Sequence, residues 1–92
     1  LVDLSLELTE KVTVEEINSA FINNASETLV TTTDPIVSSD VIGTTCGALA
    51  DLSLTKVVEH DGKQMVKVIS WYDNEMGYSA QMVRTAKKLL SL

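Results

Sequence analysis

Residues 66–79 read Val-Lys-Val-Ile-Ser-Trp-Tyr-Asp-Asn-Glu-Met-Gly-Tyr-Ser, and this stretch decides how the chain is interpreted. Its first half predicts a strand, and the spacing that follows predicts a helix that begins at Asn74 or Glu75. The stretch also holds the only tryptophan and both tyrosines of the chain. Strand-to-helix junctions commonly carry ligand-contacting groups, so this junction is either a binding site or only a corner of the fold.

Upstream of the junction the pattern predicts a series of strands. The pair Asp61-Gly62 predicts a tight hairpin between a strand over residues 55–59 and a return strand over residues 64–71. Two further strands are predicted over residues 28–33, where β-branched residues dominate, and over residues 46–52. Residues 36–42 follow a proline and form either a short strand or an extended loop.

The N-terminal region predicts a strand followed by a helix. Apolar and polar residues alternate at the start, which is typical of a half-buried strand with one face in water; the apolar positions are Val2, Leu4, Leu6 and Leu8. Thr13 and Glu16 form a capping-box pattern, which predicts a helix over residues 14–26. The element order therefore predicts an α+β fold, in which a mixed or antiparallel sheet carries a helix on one face and a C-terminal helix follows.

Composition excludes several classes of function. The net charge of -6 argues against a nucleic-acid partner, since phosphate backbones attract clustered lysine and arginine. No apolar run approaches the roughly 20 residues of a membrane span, so we expect no membrane partner. A single cysteine, Cys46, allows no internal disulfide and no four-thiolate metal site, which favours a reducing, cytoplasmic setting. The chain opens at Leu1 within a strand pattern, which favours a piece of a longer protein.

The residues that could carry covalent chemistry are few. Cys46 is the only thiol, but its pattern favours a small buried residue over a nucleophile. His60 flanks the predicted turn and is expected in solvent, so we predict no Cys46–His60 dyad. Ser38, Ser39 and Asp40 could hold a phosphate, although satisfying the loop backbone is the favoured interpretation. No glycine-rich phosphate loop and no acidic cluster suited to a metal are present.

The polar residues of the junction leave two interpretations open. Asp73 and Glu75 are equally suited to cap the helix or to bind a ligand. The amide of Asn74 offers both a donor and an acceptor, which suits recognition of another amide. Its aromatic neighbours could lie beside a planar ring. From residue types alone, helix capping is the favoured interpretation of Asn74.

The run Trp71-Tyr72-Asp73-Asn74-Glu75, with Met76-Gly77-Tyr78-Ser79 after it, resembles the C-terminal signature of the glyceraldehyde-3-phosphate dehydrogenase family. The resemblance covers essentially the whole chain. Its other parts occur in the family's order: Val2-Asp3-Leu4, Val12-Thr13-Val14-Glu15-Glu16, Asp34-Pro35, Val37-Ser38-Ser39-Asp40 and Asp61-Gly62-Lys63. At position 76 the chain has methionine, where members of the family usually have tryptophan, threonine or a similar residue. Between Ala25 and Asp34 it is a few residues shorter, by a deletion or an omitted loop.

The resemblance implies a fragment of a glycolytic, homotetrameric enzyme. Residues 1–73 would be part of the catalytic domain, and residues 74–92 the helix that in the family packs on an NAD-binding domain. Family members oxidise an aldehyde through a cysteine hemithioacetal, pass hydride to NAD and cleave the thioester with phosphate. The family's Ser-Cys-Thr-Thr-Asn motif and its histidine base do not occur here, so we predict no catalytic residue and an inactive isolated chain.

The resemblance also assigns cofactor contacts. It implies that Asn74 hydrogen-bonds the nicotinamide carboxamide and that Tyr78 lies near the ring, while Trp71 and Tyr72 pack to hold Asn74 in place. Preference for NAD or NADP would be set in the missing domain. Partners implied are that domain, an aldehyde substrate, phosphate and identical subunits that associate through the sheet. The alternative function is a free-standing interaction module that self-associates.

Overall fold

The computed structural model describes residues 1–92 as a five-stranded mixed sheet with two α-helices. The prediction of an α+β fold with a C-terminal helix is confirmed. Neither helix is both long enough and apolar enough to cross a membrane. The elements are β1 (Val2–Leu6), α1 (Val14–Asn23), β2 (Leu29–Thr32), β3 (Ala48–Asp51), β4 (Lys56–His60), β5 (Lys63–Trp71) and α2 (Asn74–Leu90), with 3-10 turns at Ser38–Val41 and Leu52–Leu54.

Strand β5 organises the sheet because it pairs along both of its edges. β1 runs antiparallel along one edge and places Leu4 opposite Val68. Along the other edge, β4 pairs with the first half of β5, and β3 pairs with its last two residues. β2 then joins the outer edge of β3 in parallel, which makes the sheet mixed. The end of β5 therefore lies in the middle of the sheet, and α2 starts from there.

The hairpin between β4 and β5 turns where the sequence predicts it. Asp61 and Gly62 both adopt positive φ angles, 51° and 76°. Two consecutive residues of this kind form a type I′ turn, whose twist matches that of the strands it joins. The register places His60 opposite Lys63 and Val57 opposite Val66.

Helix α1 is positioned on one face of the sheet by a local capping box and by a contact with a distant strand. The capping box is confirmed: the Thr13 hydroxyl accepts the Glu16 N–H at 3.1 Å, and the Glu16 carboxylate accepts the Thr13 N–H at 3.3 Å. The side-chain amide of Gln64 then pairs with the backbone of Val12, accepting at 2.9 Å and donating at 3.1 Å. These contacts tie the start of α1 to β5.

The core lies beneath α1 and is small. Val66 and Val68 are the buried centre of this sheet face, with 2% and 7% of their surface exposed. No residue of α1 is fully buried, and an apolar groove of about 490 Å³ remains between the helix and the sheet. The radius of gyration is 15.1 Å, against about 12 Å for a compact domain of this length. The chain is therefore a thin layer that covers only part of its apolar surface.

Three predictions for the first half of the chain are wrong. Residues 36–42 form neither a strand nor an extended loop, since Ser38–Val41 is a 3-10 turn in which the Asp40 carboxylate accepts the Val37 N–H at 2.8 Å. β1 is exposed on both faces rather than half-buried, because it lies at the sheet edge, where only its last residue, Leu6, lines the open groove beside α1. α1 also ends at Asn23, three residues before the predicted end at residue 26.

Candidate functional site

The junction between β5 and α2 is shaped by Asp73, which caps the helix. One carboxylate oxygen accepts the Met76 N–H at 2.9 Å, and the other accepts the Gly43 N–H at 2.8 Å. These two hydrogen bonds, chiefly the one from Gly43, lower the pKa of Asp73. The carboxylate is therefore ionised at neutral pH and keeps both oxygens as acceptors.

The capping interpretation of Asn74 is wrong, because Asp73 occupies the N-cap position and Asn74 is the first residue inside the helix. Asn74 is exposed. Its side-chain amide takes part in none of the hydrogen bonds of the chain, unlike the Asp73 carboxylate beside it. Both the donor and the acceptor of this amide are therefore available to a ligand.

Helix α2 is seated on the loop before β3 by a close approach of two backbones. Gly77 is buried within α2, and a Cβ atom at this position would lie 2.9 Å from the carbonyl oxygen of Cys46. Real Cβ atoms do not approach a backbone oxygen so closely, so only glycine fits here without a shift. The contact sets the height of the first two turns of α2 above the loop.

Two further residues on the same face of α2 hold the helix against this loop. Arg84 donates to the Thr45 carbonyl at 2.7 Å and also to the Gln81 side chain. Gln81 in turn accepts the Thr28 hydroxyl at 3.2 Å. Since Thr28 precedes β2 and Thr45 precedes β3, α2 is held to two strands through their preceding loops. The contacts involve the first three turns of the helix.

The seated helix leaves a small cavity of about 200 Å³ at its N-terminal end. Asn74 and Tyr78 lie four residues apart, so they share one helix face, and both line this cavity. Its full lining is Gly47, Tyr72, Asp73, Asn74, Gly77, Tyr78 and Gln81. The structure thus brings together both residues that the sequence predicts as cofactor contacts, with Tyr72 beside them.

Trp71 does not line this cavity. Its indole N–H donates to Asp51 at 3.0 Å, and Asp51 is only 2% exposed. The second oxygen of the Asp51 carboxylate accepts the Ser53 hydroxyl at 2.6 Å, so the buried carboxylate is satisfied on both oxygens. Trp71 therefore anchors the end of β5 to β3, one residue before the loop into α2.

A family model described as "Glyceraldehyde 3-phosphate dehydrogenase, C-terminal domain" matches residues 1–74. The chain belongs to the glyceraldehyde-3-phosphate dehydrogenase family. It is 53% identical to the glyceraldehyde-3-phosphate dehydrogenase of Streptococcus pyogenes over 83 residues, which are 90% of this chain and 25% of that protein. It is 55% identical to that of Clostridium pasteurianum over 78 residues, 85% of this chain and 23% of that protein. The chain spans about a quarter of the length of these relatives.

This member of the glyceraldehyde-3-phosphate dehydrogenase family has no nucleophile–base pair in residues 1–92. Cys46 is buried, with 5% of its surface exposed, in the loop beneath α2. The His60 side chain is 89% exposed at the hairpin tip and lies 3.3 Å from Asp61. No group of three or more histidine, cysteine, aspartate or glutamate residues is placed to hold a metal ion.

Sequence reasoning missed three cavity residues of this glyceraldehyde-3-phosphate dehydrogenase segment: Gly47, Gly77 and Gln81. A signal existed for Gly77, because a glycine inside a helical pattern usually has a packing reason. Gly47 and Gln81 carry no comparable local signal. Their positions depend on how α2 meets the loop, where a Cβ on Gly47 would lie 3.3 Å from the Gln81 side chain.

Proposed function

We propose that this chain is the C-terminal part of an NAD-dependent, phosphorylating glyceraldehyde-3-phosphate dehydrogenase of the cytoplasm, acting in glycolysis. The parent enzyme oxidises the aldehyde and captures the acyl group with inorganic phosphate. Family membership supports this reaction class. The observation that carries the role of this segment is the uncommitted, exposed amide of Asn74 at the rim of an aromatic cavity.

The cavity fits one edge of a nicotinamide and no more of the cofactor. Its volume of about 200 Å³ lies below the roughly 300–1,000 Å³ of a complete ligand pocket. Asn74 would bind the carboxamide, since two amides pair donor to acceptor in both directions, and Tyr78 would lie near the ring. NAD supplies the hydride acceptor when bound. The rest of the dinucleotide would be held by another domain.

Helix α2 would also depend on that other domain. Three apolar residues of its outer face are mostly exposed: Tyr78 at 72%, Met82 at 60% and Leu89 at 65%. The contacts of α2 with the rest of the chain lie on a different face, through Gly77 and Arg84. We assign residues 1–73 to the catalytic domain and residues 74–92 to a helix that packs on the NAD-binding domain. The small number of buried residues, 9 of 92, supports completion by further structure.

In the full-length protein, Asn74→Ala is expected to weaken NAD binding while leaving the fold intact. One amide contact contributes about 0.5–1.5 kcal/mol, so the Kd for NAD should rise about two- to twelvefold. The free energy of unfolding should change by less than about 0.5 kcal/mol, because the side chain is exposed and has no internal partner. Calorimetric titration with NAD and denaturant unfolding measure the two quantities.

The matched control for this experiment is Asn23→Ala. Asn23 is also an exposed asparagine on a helix, at the end of α1 and outside the cavity. It should leave the Kd for NAD unchanged. An unchanged Kd in Asn74→Ala would refute the assignment of Asn74 to the carboxamide.

A second proposed role is association with an identical subunit through the sheet. Alternation along β5 places Met65, Ile69 and Trp71 on the face opposite Val66 and the α1 groove. Met65 pairs with Val58, and these residues are 42% and 56% exposed. The same face also carries Lys67, which pairs with Lys56 in register and forms an ion pair with Asp3 at 3.0 Å. Its exposed apolar residues, set among these charges, favour pairing with another copy.

We expect the 92-residue chain to form dimers or larger species in sedimentation velocity as its concentration rises. Met65→Lys should shift the distribution towards monomer, because it replaces an exposed apolar pair, Met65 with Val58, by a third positive charge beside Lys56 and Lys67. Ile22→Lys, at a singly exposed apolar residue of α1 outside the groove, is the control and should leave the distribution unchanged. A single monomeric boundary at every concentration for the unaltered chain would contradict association through the sheet.

A further inference from the structure

Asp73 joins two distant parts of the chain, which is more than a helix cap requires. A cap uses one acceptor oxygen for an N–H in the first turn, and Asp73 supplies this to Met76. Its second oxygen accepts the N–H of Gly43, a residue 30 positions earlier in the loop that follows the 3-10 turn. Gly43 has a φ of +88°, a conformation that favours glycine, so this loop is shaped to present its N–H there.

Asn74 lies between two tertiary contacts of the start of α2: the Asp73–Gly43 hydrogen bond, which we call the bridge, and the close approach of Gly77 to Cys46. The Asn74 side chain makes no hydrogen bond that would orient it, and it lines the cavity beside Tyr72 and Tyr78. The seat of the helix lies further along, at Gly77 and Arg84. The direction in which Asn74 leaves the helix is therefore set between the Gly77 contact on one side and the Asp73–Gly43 hydrogen bond on the other.

We infer that Asp73 is a positioning residue for Asn74: it binds the first turn of α2 to Gly43 so that the Asn74 amide meets the nicotinamide carboxamide. This inference rests on the proposed function of Asn74. The depressed pKa of the Asp73 carboxyl group is consistent with it, since both oxygens then stay available as acceptors.

The chemistry of the bridge makes aspartate distinct from other good caps. Asparagine and serine cap helices about as well as aspartate does. Each offers a single oxygen in place of the two of a carboxylate, so neither can accept both the Gly43 and the Met76 N–H in the observed geometry. Asp73→Asn and Asp73→Ser should therefore keep a helix cap and lose the bridge.

The test is a double-mutant cycle in the full-length protein, with the Kd for NAD measured by calorimetry. The proteins are the wild type, Asp73→Asn, Asn74→Ala and the double variant. Each single change should raise the Kd about two- to twelvefold. The double variant should bind no more weakly than Asn74→Ala alone, because Asp73 acts through Asn74.

The outcomes separate this inference from the proposed function. If Asn74→Ala raises the Kd while Asp73→Asn does not, or if the two factors multiply in the double variant, Asp73 does not act through Asn74 and the inference is overturned. If Asn74→Ala leaves the Kd unchanged, the proposed function fails and the inference fails with it. If Asp73→Asn folds poorly, the cycle is repeated with Asp73→Ser in its place.

Amide hydrogen exchange provides a readout that needs no cofactor. In Asp73→Ser the Gly43 amide should exchange several-fold faster than in the wild type, while the Met76 amide keeps its protection through the serine cap. An unchanged Gly43 exchange rate would overturn the bridge. Thr13→Ala is the control, since it removes the side-chain cap of α1; it should lower stability and leave the Kd for NAD unaltered.

Discussion

A polypeptide of these 92 residues is expected to produce no NADH from glyceraldehyde 3-phosphate, NAD and phosphate above the uncatalysed background. Thioester chemistry needs an activated thiolate with a base beside it. The only thiol, Cys46, is buried beneath α2, and the only histidine, His60, is in solvent at the far end of the hairpin. The Asn74 cavity holds at most a small part of the dinucleotide.

The measurement is NADH absorbance with polypeptide whose mass has been verified, beside the Streptococcus pyogenes relative as the positive control. Cys46→Ser is the matched variant. Aldehyde-dependent NADH formation that is present in the unaltered polypeptide and lost in Cys46→Ser would show that Cys46 is a nucleophile. That result would contradict both the expected inactivity and the structural role of Cys46.

Gly77→Val in the full-length protein is expected to have the largest effect on stability of any single change at the site. The new side chain begins at a Cβ position 2.9 Å from the Cys46 carbonyl oxygen, and a backbone atom cannot swing away as a side chain can. Overpacking of this kind costs about 1–3 kcal/mol. The higher helix propensity of valine returns less than about 1 kcal/mol, so the clash dominates. Denaturant unfolding measures the net loss.

The same displacement should weaken NAD binding, because Gly77 lines the cavity three residues after Asn74. Ser79→Val is the matched control: Ser79 is exposed on the same helix, and its replacement introduces the same side chain without a backbone contact. We expect that control to change the free energy of unfolding by less than about 0.5 kcal/mol. A similarly small change in Gly77→Val would show that α2 is not seated on the loop as described.

Local patterns were sufficient for much of the fold. The Asp61-Gly62 turn, the Thr13–Glu16 capping box and the course of β5 into α2 each depend on residues a few positions apart, and the structure has all three. Local patterns failed at residues 36–42, where a short strand or an extended loop was predicted after the proline. There the Asp40 side chain closes a 3-10 turn instead. They failed also at β1, whose alternation predicts a buried face that this chain does not cover.

By itself, the sequence determined the family, the α+β element order and the two residues, Asn74 and Tyr78, proposed to contact the cofactor. The family and the element order follow from short motifs and from residue spacing along single helices and strands, whereas the proposed roles of Asn74 and Tyr78 come only from the resemblance to the family. Only the tertiary structure decided that Asp73 rather than Asn74 caps α2, that Asp73 also binds Gly43, and that Gly77 meets Cys46. The cap joins Asp73 to Met76, only three positions on, but residue types do not distinguish it from a cap at Asn74. The other two contacts join residues about 30 positions apart and form only when α2 is seated on the loop before β3.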